Sequence, residues 1–281
     1  MANTCRGRPA RADKEPRAVS APTTRYAQVN GEPCRVWEKG AGSTIGFLAG
    51  IGGLTAWPPF LDCLAADHRV VAPSLPGFPG GGTLHAEMDG HLDWLLATHD
   101  LLDGSDLSGC HLMGVSIGGS LAAEAAASWP GIAKTLTLVS PFGLFDVADP
   151  VADIFAQRPG RIRNLMCNNP DNYDSVTSGV ADEDELENEV IRTRAHESAA
   201  RFLWPLGDTG LNKRLPRITQ RTHLVWGDSD QVVPLNYARK FEAGIAGDVS
   251  TSVIADAGHL AELDQPQAVA DAVLKFIGRG N

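Results

Sequence analysis

No apolar stretch in the 281-residue chain reaches the roughly 20 residues that a membrane-spanning helix needs, and the opening residues lack the apolar core of a secretion signal. Cysteine is sparse and scattered. The five residues Cys5, Cys34, Cys63, Cys110 and Cys167 include no C-x-x-C pair and have no histidine nearby at metal-ligand spacing, so they read as reduced thiols of a cytoplasmic protein. Positive charge is in deficit. With 24 Lys+Arg against 34 Asp+Glu, the net charge of -10 argues against nucleic acid or an anionic membrane as partner. No G-x-x-x-x-G-K-[ST] occurs, and Gly50-Ile51-Gly52-Gly53-Leu54-Thr55 lacks the third glycine of a dinucleotide fingerprint. No cofactor and no metal is expected. The partner implied is a small molecule, with a homodimer left open.

What is present suits one large domain. A hydrophobic content of 43% can bury a substantial core, and a single domain of roughly 250 residues with a long insertion fits better than two domains. Residues 1–24 are basic, rich in Pro and Ala and aperiodic, which predicts a disordered tail. From Arg25 onward, short apolar runs alternate with helical patterns, the signature of an α/β sheet. Strands are expected at Arg25 to Val29, Cys34 to Glu38, Thr44 to Ala49, His68 to Ala72, Cys110 to Met113, Thr135 to Val139, Thr222 to Trp226 and Val249 to Ile254. Asn30-Gly31 predicts a hairpin between the first two. A helix is expected from Leu84 to Leu102, one after Ser116, one from Leu235 to Ile245 and one from Gln265 to Ile277. The pattern breaks between Ser140 and about Pro216, which holds no good buried strand and a long acidic helix around Ala181 to Arg201. That break predicts a helical cap over residues 141–216, with the core in 25–140 and 217–281. The acidic group Asp182, Glu183, Asp184, Glu185, Glu187 and Glu189 reads as a solvated face.

The chemistry centres on Gly114-Val115-Ser116-Ile117-Gly118, a G-x-S-x-G between an apolar strand and an Ala-rich helix. In that setting a sharp turn lifts the serine hydroxyl above the end of a sheet. A serine hydroxyl needs a base, and the base a third group that fixes its tautomer. Of the eight histidines, His259 follows a strand through the loop Ala255-Asp256-Ala257-Gly258, at the same end of a parallel sheet as Ser116. His111 and His223 fall inside strands; His68, His85, His91, His99 and His196 read as loop or helix-surface residues. Two acids, Asp228 and Asp230, sit in the loop after Trp226.

Five ordered segments together resemble the α/β-hydrolase family of the capped, single-domain type. They are Ala49-Gly50-Ile51-Gly52, Ala72 to Phe78, Gly114 to Gly118, Trp226-Gly227-Asp228-Ser229-Asp230 with Pro234, and Gly258-His259 with Pro266. The resemblance implies a mostly parallel eight-stranded sheet flanked by helices, with a helical cap after the sixth strand. It implies a triad of Ser116, Asp230 and His259, since the family places its acid three residues beyond the glycine that ends the seventh strand. An oxyanion hole of the Ile51 and Ile117 amides completes the site. Two positions depart from the family: Ala49 stands where it has histidine, and Ser74 where many members have aspartate. The serine nucleophile favours cleavage of a carboxylic ester or lactone of a small, largely apolar substrate through an acyl-enzyme. A C–C bond hydrolase of ring-cleavage products is the second reading, weakened by Leu260, where those enzymes commonly carry Trp. A ligand receptor on the same fold is the third. Trp57, Phe60, Phe142, Phe145, Phe155, Phe202 and Trp204 are the aromatic candidates for the pocket wall.

Overall fold

A computed structural model describes residues 21–180, 183–204, 206 and 209–278. The chain opens with β1 (Thr23–Val29) and β2 (Glu32–Lys39), joined at Asn30-Gly31, whose φ values of 48° and 84° give the tight turn that matches strand twist. There follow β3 (Thr44–Leu48), α1 (Pro59–Ala65), β4 (Arg69–Pro73), α2 (His91–Gly104), β5 (Cys110–Val115), α3 (Ser116–Ser128) and β6 (Ala133–Val139). The chain then leaves the sheet for α4 (Pro159–Met166), α5 (Pro170–Thr177) and α6 (Glu185–Leu203). It returns with β7 (Arg221–Gly227), α7 (Asn236–Gly244), β8 (Val249–Ile254), α8 (Ala261–Asp264) and α9 (Pro266–Gly278).

The strands lie in the order β1-β2-β4-β3-β5-β6-β7-β8; β2 pairs antiparallel with β1 and β4, and every other pairing is parallel. Parallel strands covered on both faces must be apolar throughout, and β5 is buried at every position. Because β5, β7 and β8 run the same way, the loops that follow them emerge at one edge of the sheet. That edge is where the candidate site forms.

The expected helix from Leu84 to Leu102 is broken in two. Leu84–Glu87 makes one 3₁₀ turn, and α2 starts only at His91. Gly90 is extended there, and the Asp93 carboxylate takes the Asp89 and Gly90 amides at 2.9 Å each, which starts a new helix. The sheet also begins earlier than expected, since Thr23 and Thr24 pair with Glu38 and Trp37. The acidic helix starts at Glu185, where the Asp184 side chain accepts the Glu187 amide at 2.8 Å. Ala181 and Asp182 lie outside the described residues, as do residues 1–20 of the expected tail. Among the described residues, Cys34, Cys63, Cys110 and Cys167 are free thiols, and no helix is long and apolar enough to cross a membrane.

One buried ion group ties the helix behind Ser116 to its surroundings. Glu124 of α3 is fully buried and receives Arg214 on both oxygens at 2.6 and 2.5 Å, together with His91 Nε2 at 3.1 Å. Burial pushes its carboxyl up, and the bonds from His91 and Arg214 outweigh that and hold it below the ordinary carboxylate range. Removing one partner of a buried pair leaves an uncompensated charge, at a cost of about 3 kcal/mol or more. Arg214→Met is therefore expected to lower the thermal midpoint by roughly 6 °C or more in calorimetry. An unchanged midpoint would show that Glu124 gives up its charge without cost.

Candidate active site

The turn from β5 into α3 puts Ser116 at φ 54°, a left-handed conformation that a residue with a side chain adopts only under constraint. The two flanking glycines permit it. A Cβ on Gly114 would lie 2.2 Å from the Gly118 carbonyl oxygen, and one on Gly118 2.3 Å from that of Leu48, so neither position has room for a side chain. His259 enters from the loop after β8 and Asp230 from the loop after β7.

The structure brings these three together. His259 Nε2 lies 2.8 Å from Ser116 Oγ, and His259 Nδ1 lies 3.0 and 3.2 Å from the two carboxylate oxygens of Asp230. Asp230 Oδ1 also accepts the Val232 and Val233 amides at 2.8 and 2.9 Å, which fixes the carboxylate before it meets the ring. Asp228 points elsewhere: its carboxylate is exposed and bonds Ser229 Oγ at 2.9 Å. Of the two acids left open by the residues alone, only Asp230 reaches the histidine. Phe142 meets the His259 ring edge-on, with centroids 5.5 Å apart.

Ile51 follows Gly50 in the loop after β3, and Ile117 directly follows Ser116. Ile117 lies in the first turn of α3, where amides have no partner within the helix. Gly50 lies close to Ser116, since a Cβ there would be 3.3 Å from Ser116 Cβ. With Ala49 in place of a bracing histidine, the loop is held by the Gly53 amide on the Gly50 carbonyl at 3.1 Å and by α3, against which the Ala49 carbonyl packs. At the other departure, Ser74 Oγ receives Arg35 Nη2 at 3.0 Å.

A family model described as the alpha/beta hydrolase family matches residues 47–272. The chain belongs to the α/β-hydrolase family. Among curated proteins, this α/β-hydrolase is 27% identical over 279 residues to the dihydrolipoyllysine-residue acetyltransferase component of the acetoin cleaving system of Cupriavidus necator, covering 92% of this chain and 70% of that protein. It is 26% identical over 265 residues to the 2-hydroxy-6-oxo-6-phenylhexa-2,4-dienoate hydrolase of Comamonas testosteroni, covering 85% and 89%. Among solved structures, the serine hydrolase CCSP0084 of the polyaromatic hydrocarbon-degrading Cycloclasticus zankles superposes with a TM-score of 0.73 at 18% identity over 92% of this chain and 99% of that one. That last likeness speaks for the fold alone.

Several residues around the site of this α/β-hydrolase have no signal in the sequence. Asp264 is the main one. Its Oδ2 accepts the Asn168 and Gly258 amides at 2.7 and 2.9 Å, and its Oδ1 accepts the Asn169 amide and Asn172 Nδ2 at 3.2 and 3.0 Å. One carboxylate thus joins the His259 loop to the segment between α4 and α5, and the Leu260 amide adds a bond to the Met166 carbonyl at 2.8 Å. Asp264→Asn replaces one acceptor oxygen with an amide NH2 that faces the donors. Amide hydrogen exchange at Asn168, Asn169 and Gly258 is expected to accelerate by at least about tenfold, the factor that corresponds to 1.4 kcal/mol. Unchanged protection at these amides would remove Asp264 from this role.

Glu262, on the same short helix, behaves in the opposite way. It is 4% exposed, its Oε2 has no hydrogen-bond partner among the described residues, and burial with Asp264 nearby pushes its carboxyl up from 4.5 to about 8. Between those values the unfolded chain releases this proton while the folded one keeps it, so stability falls as pH rises. Glu262→Gln is expected to raise the thermal midpoint more at about pH 8 than at about pH 5, by about 2–4 °C per kcal/mol released. Equal shifts at both values would show that the carboxyl titrates normally.

A cavity of about 660 Å³ lies between the inserted segment and the core, with Phe155, Ile162, Tyr173, Thr177 and His196 among its walls. It reaches Gly52, next to Ile51, and stops short of Ser116, which like His259 is closed to solvent. Thr177 and Tyr173 stand at the inner wall, 3.1 and 3.5 Å from where a Gly52 Cβ would lie. Of the aromatic candidates, only Phe155 lines this cavity. Phe60 is core packing against Phe47, Phe202 stacks on His91, and Trp204 is exposed beside Phe155. His85, expected on a surface, is buried, and His196 turns inward to the cavity.

Proposed function

We propose that the protein is a serine hydrolase that cleaves a carboxylic ester or lactone through an acyl-enzyme on Ser116. The observation that carries this reading is the unbroken hydrogen-bond chain from Ser116 Oγ through His259 to Asp230, at 2.8 and 3.0 Å, with all three side chains shielded from solvent. His259 Nε2 takes the hydroxyl proton as Oγ attacks the carbonyl carbon. The charge that develops on the carbonyl oxygen is met by the Ile51 and Ile117 amides. As the C–O bond breaks, the imidazolium returns its proton to the leaving alkoxide. Water then attacks the acyl-enzyme with His259 again as base, releasing the acid and restoring Ser116. Asp230 holds the Nδ1–H tautomer and stabilises the imidazolium. The helical insertion over residues 141–216 acts as a cap that excludes water and selects the substrate.

A C–C bond hydrolase is the second reading, favoured by the curated relatives named as dienoate hydrolases. It uses the same serine, histidine and acid. A receptor role has less support, because a ligand-binding protein has no need of a completed proton relay.

A fluorophosphonate is expected to label Ser116, as read by mass spectrometry. Ser116→Ala should lose several orders of magnitude in kcat on p-nitrophenyl acetate. Asp230→Asn should slow turnover strongly and Asp228→Asn far less. Labelling at another serine, or equal losses from the two aspartates, would sink the assignment. Faster turnover of a ring-cleavage dienone than of any ester or lactone would install the second reading.

A further inference from the structure

We infer that the cavity of about 660 Å³ takes the uncharged part of the substrate, one bearing a hydroxyl or carbonyl group that hydrogen-bonds His196, and that it rejects a substrate carboxylate. This deepens the proposed hydrolase reading and rests on it. The argument runs from charge. A carboxylate withdrawn from water needs a cation or several donors to replace its hydration, or it does not bind. The cavity wall holds two guanidiniums, Arg163 and Arg192, against the three carboxylates Asp174, Glu189 and Glu197. Both cations already carry carboxylate partners, with Arg163 Nε left without one among the described residues.

Arg163 Nη2 lies 2.6 Å from Asp171 and 2.6 Å from Asp174. Arg192 reaches the Glu189 carboxylate at 2.6 Å and donates to the Ser178 carbonyl at 3.0 Å. Glu197 spends its charge on Arg201 at 2.9 Å, with His85 at 3.7 Å. The wall therefore presents a net negative charge with its cations neutralised. An incoming anion would have to break one of these pairs.

What remains to meet a substrate is neutral. Glu189, Thr193, His196 and Ala200 share one face of α6 at spacings of four, three and four, and that face lines the cavity. Among the described residues the His196 ring takes no hydrogen bond. Burial pushes its imidazole below the ordinary range, although Glu189 acts against this, so near neutral pH the ring offers one donor and one acceptor and no charge. Phe155, Ile162 and Tyr173 add apolar surface to the wall. The volume suits a group much larger than an acetyl.

The test compares p-nitrophenyl hexanoate with the p-nitrophenyl monoester of adipate, which differs by a terminal carboxylate. The hexanoate is expected to be preferred in kcat/KM by at least about tenfold. Glu189→Gln, which releases Arg192, and Asp174→Asn, which loosens Arg163, should each narrow that ratio severalfold. His196→Leu should raise KM for p-nitrophenyl ω-hydroxyhexanoate more than for the hexanoate, whereas His196→Gln should retain the preference. Equal turnover of the two acyl chains by the wild type, or a ratio unmoved in both acid variants, would overturn the inference while leaving the hydrolase reading intact. Absence of turnover of p-nitrophenyl acetate would overturn the hydrolase reading alone. In that event calorimetry on the Ser116→Ala protein decides the inference with two uncleavable ligands: tighter binding of hexanamide than of adipic acid monoamide supports it, and the reverse order refutes it.

Discussion

The site depends on how closely β5, α3 and the loop after β3 approach one another. Ser116 holds a positive φ that costs on the order of 1–3 kcal/mol and persists only where its surroundings leave no alternative. Those surroundings are three backbones in contact: the Gly114 turn against Gly118, Gly118 against the Leu48 and Ala49 carbonyls, and Gly50 against Ser116 itself. With glycine at all three positions the chain reverses within a few residues and its hydroxyl meets His259. The same closeness sets Gly50, and with it the loop after β3, beside the serine, so one packing constraint positions both Ser116 and that loop.

Around that constraint two buried carboxylates and one half-buried one are handled in three ways. Glu124 is kept charged by Arg214 and His91, and anchors α3 from behind. Asp264 gathers four N–H donors from chain segments far apart, and works as a joint. Glu262 has no such donors and a carboxylate neighbour, so protonation is its cheaper state. Burial penalises the charge of Glu124 and Glu262, and the donors within reach decide the outcome. Position on a helix does not decide it, since Glu262 and Asp264 share one.

The parts of this arrangement that were legible in the sequence are those governed by local chemistry. Gly114 to Gly118 announced the turn because neither glycine has room for a side chain, and Asn30-Gly31 announced the hairpin because both residues take a positive φ. Strand β8 came out at Val249 to Ile254 as expected. The break at Gly90 was missed because Asp93 caps backward, which apolar periodicity does not register. Asp264 was missed for a different reason: its partners Asn168 and Asn169 are 96 and 95 positions away, and no spacing rule links them. Asp230 could be separated from Asp228 only by resemblance, until the geometry showed which carboxylate turns toward the ring. The pocket aromatics were the least legible, because a helix's apolar face looks the same in sequence whether it meets a core or an empty cavity.

The interactions that close the site differ in strength from its floor to its rim. At the floor, Asp264 gathers three backbone amides and one side-chain amide, the Leu260 amide bonds the Met166 carbonyl, and buried Ser198 Oγ fastens α6 to the Pro76 carbonyl at 2.6 Å. At the rim, the pairs Arg192–Glu189 and Arg163–Asp171 join half-buried guanidiniums to exposed carboxylates. Exposed ion pairs contribute about 0–1 kcal/mol each, whereas the floor combines four hydrogen bonds on one carboxylate, each to a charged group and worth about 1.5–3 kcal/mol. Local opening follows the lower cost, so fluctuations that admit a ligand belong to the rim of the cavity and leave the His259 loop in register. The same weak pairs that neutralise the cavity wall are then the ones that yield, which couples the selection against anions to the route of entry. An anion able to compete for Arg192 meets it only after displacing Glu189, and the displaced carboxylate remains beside it.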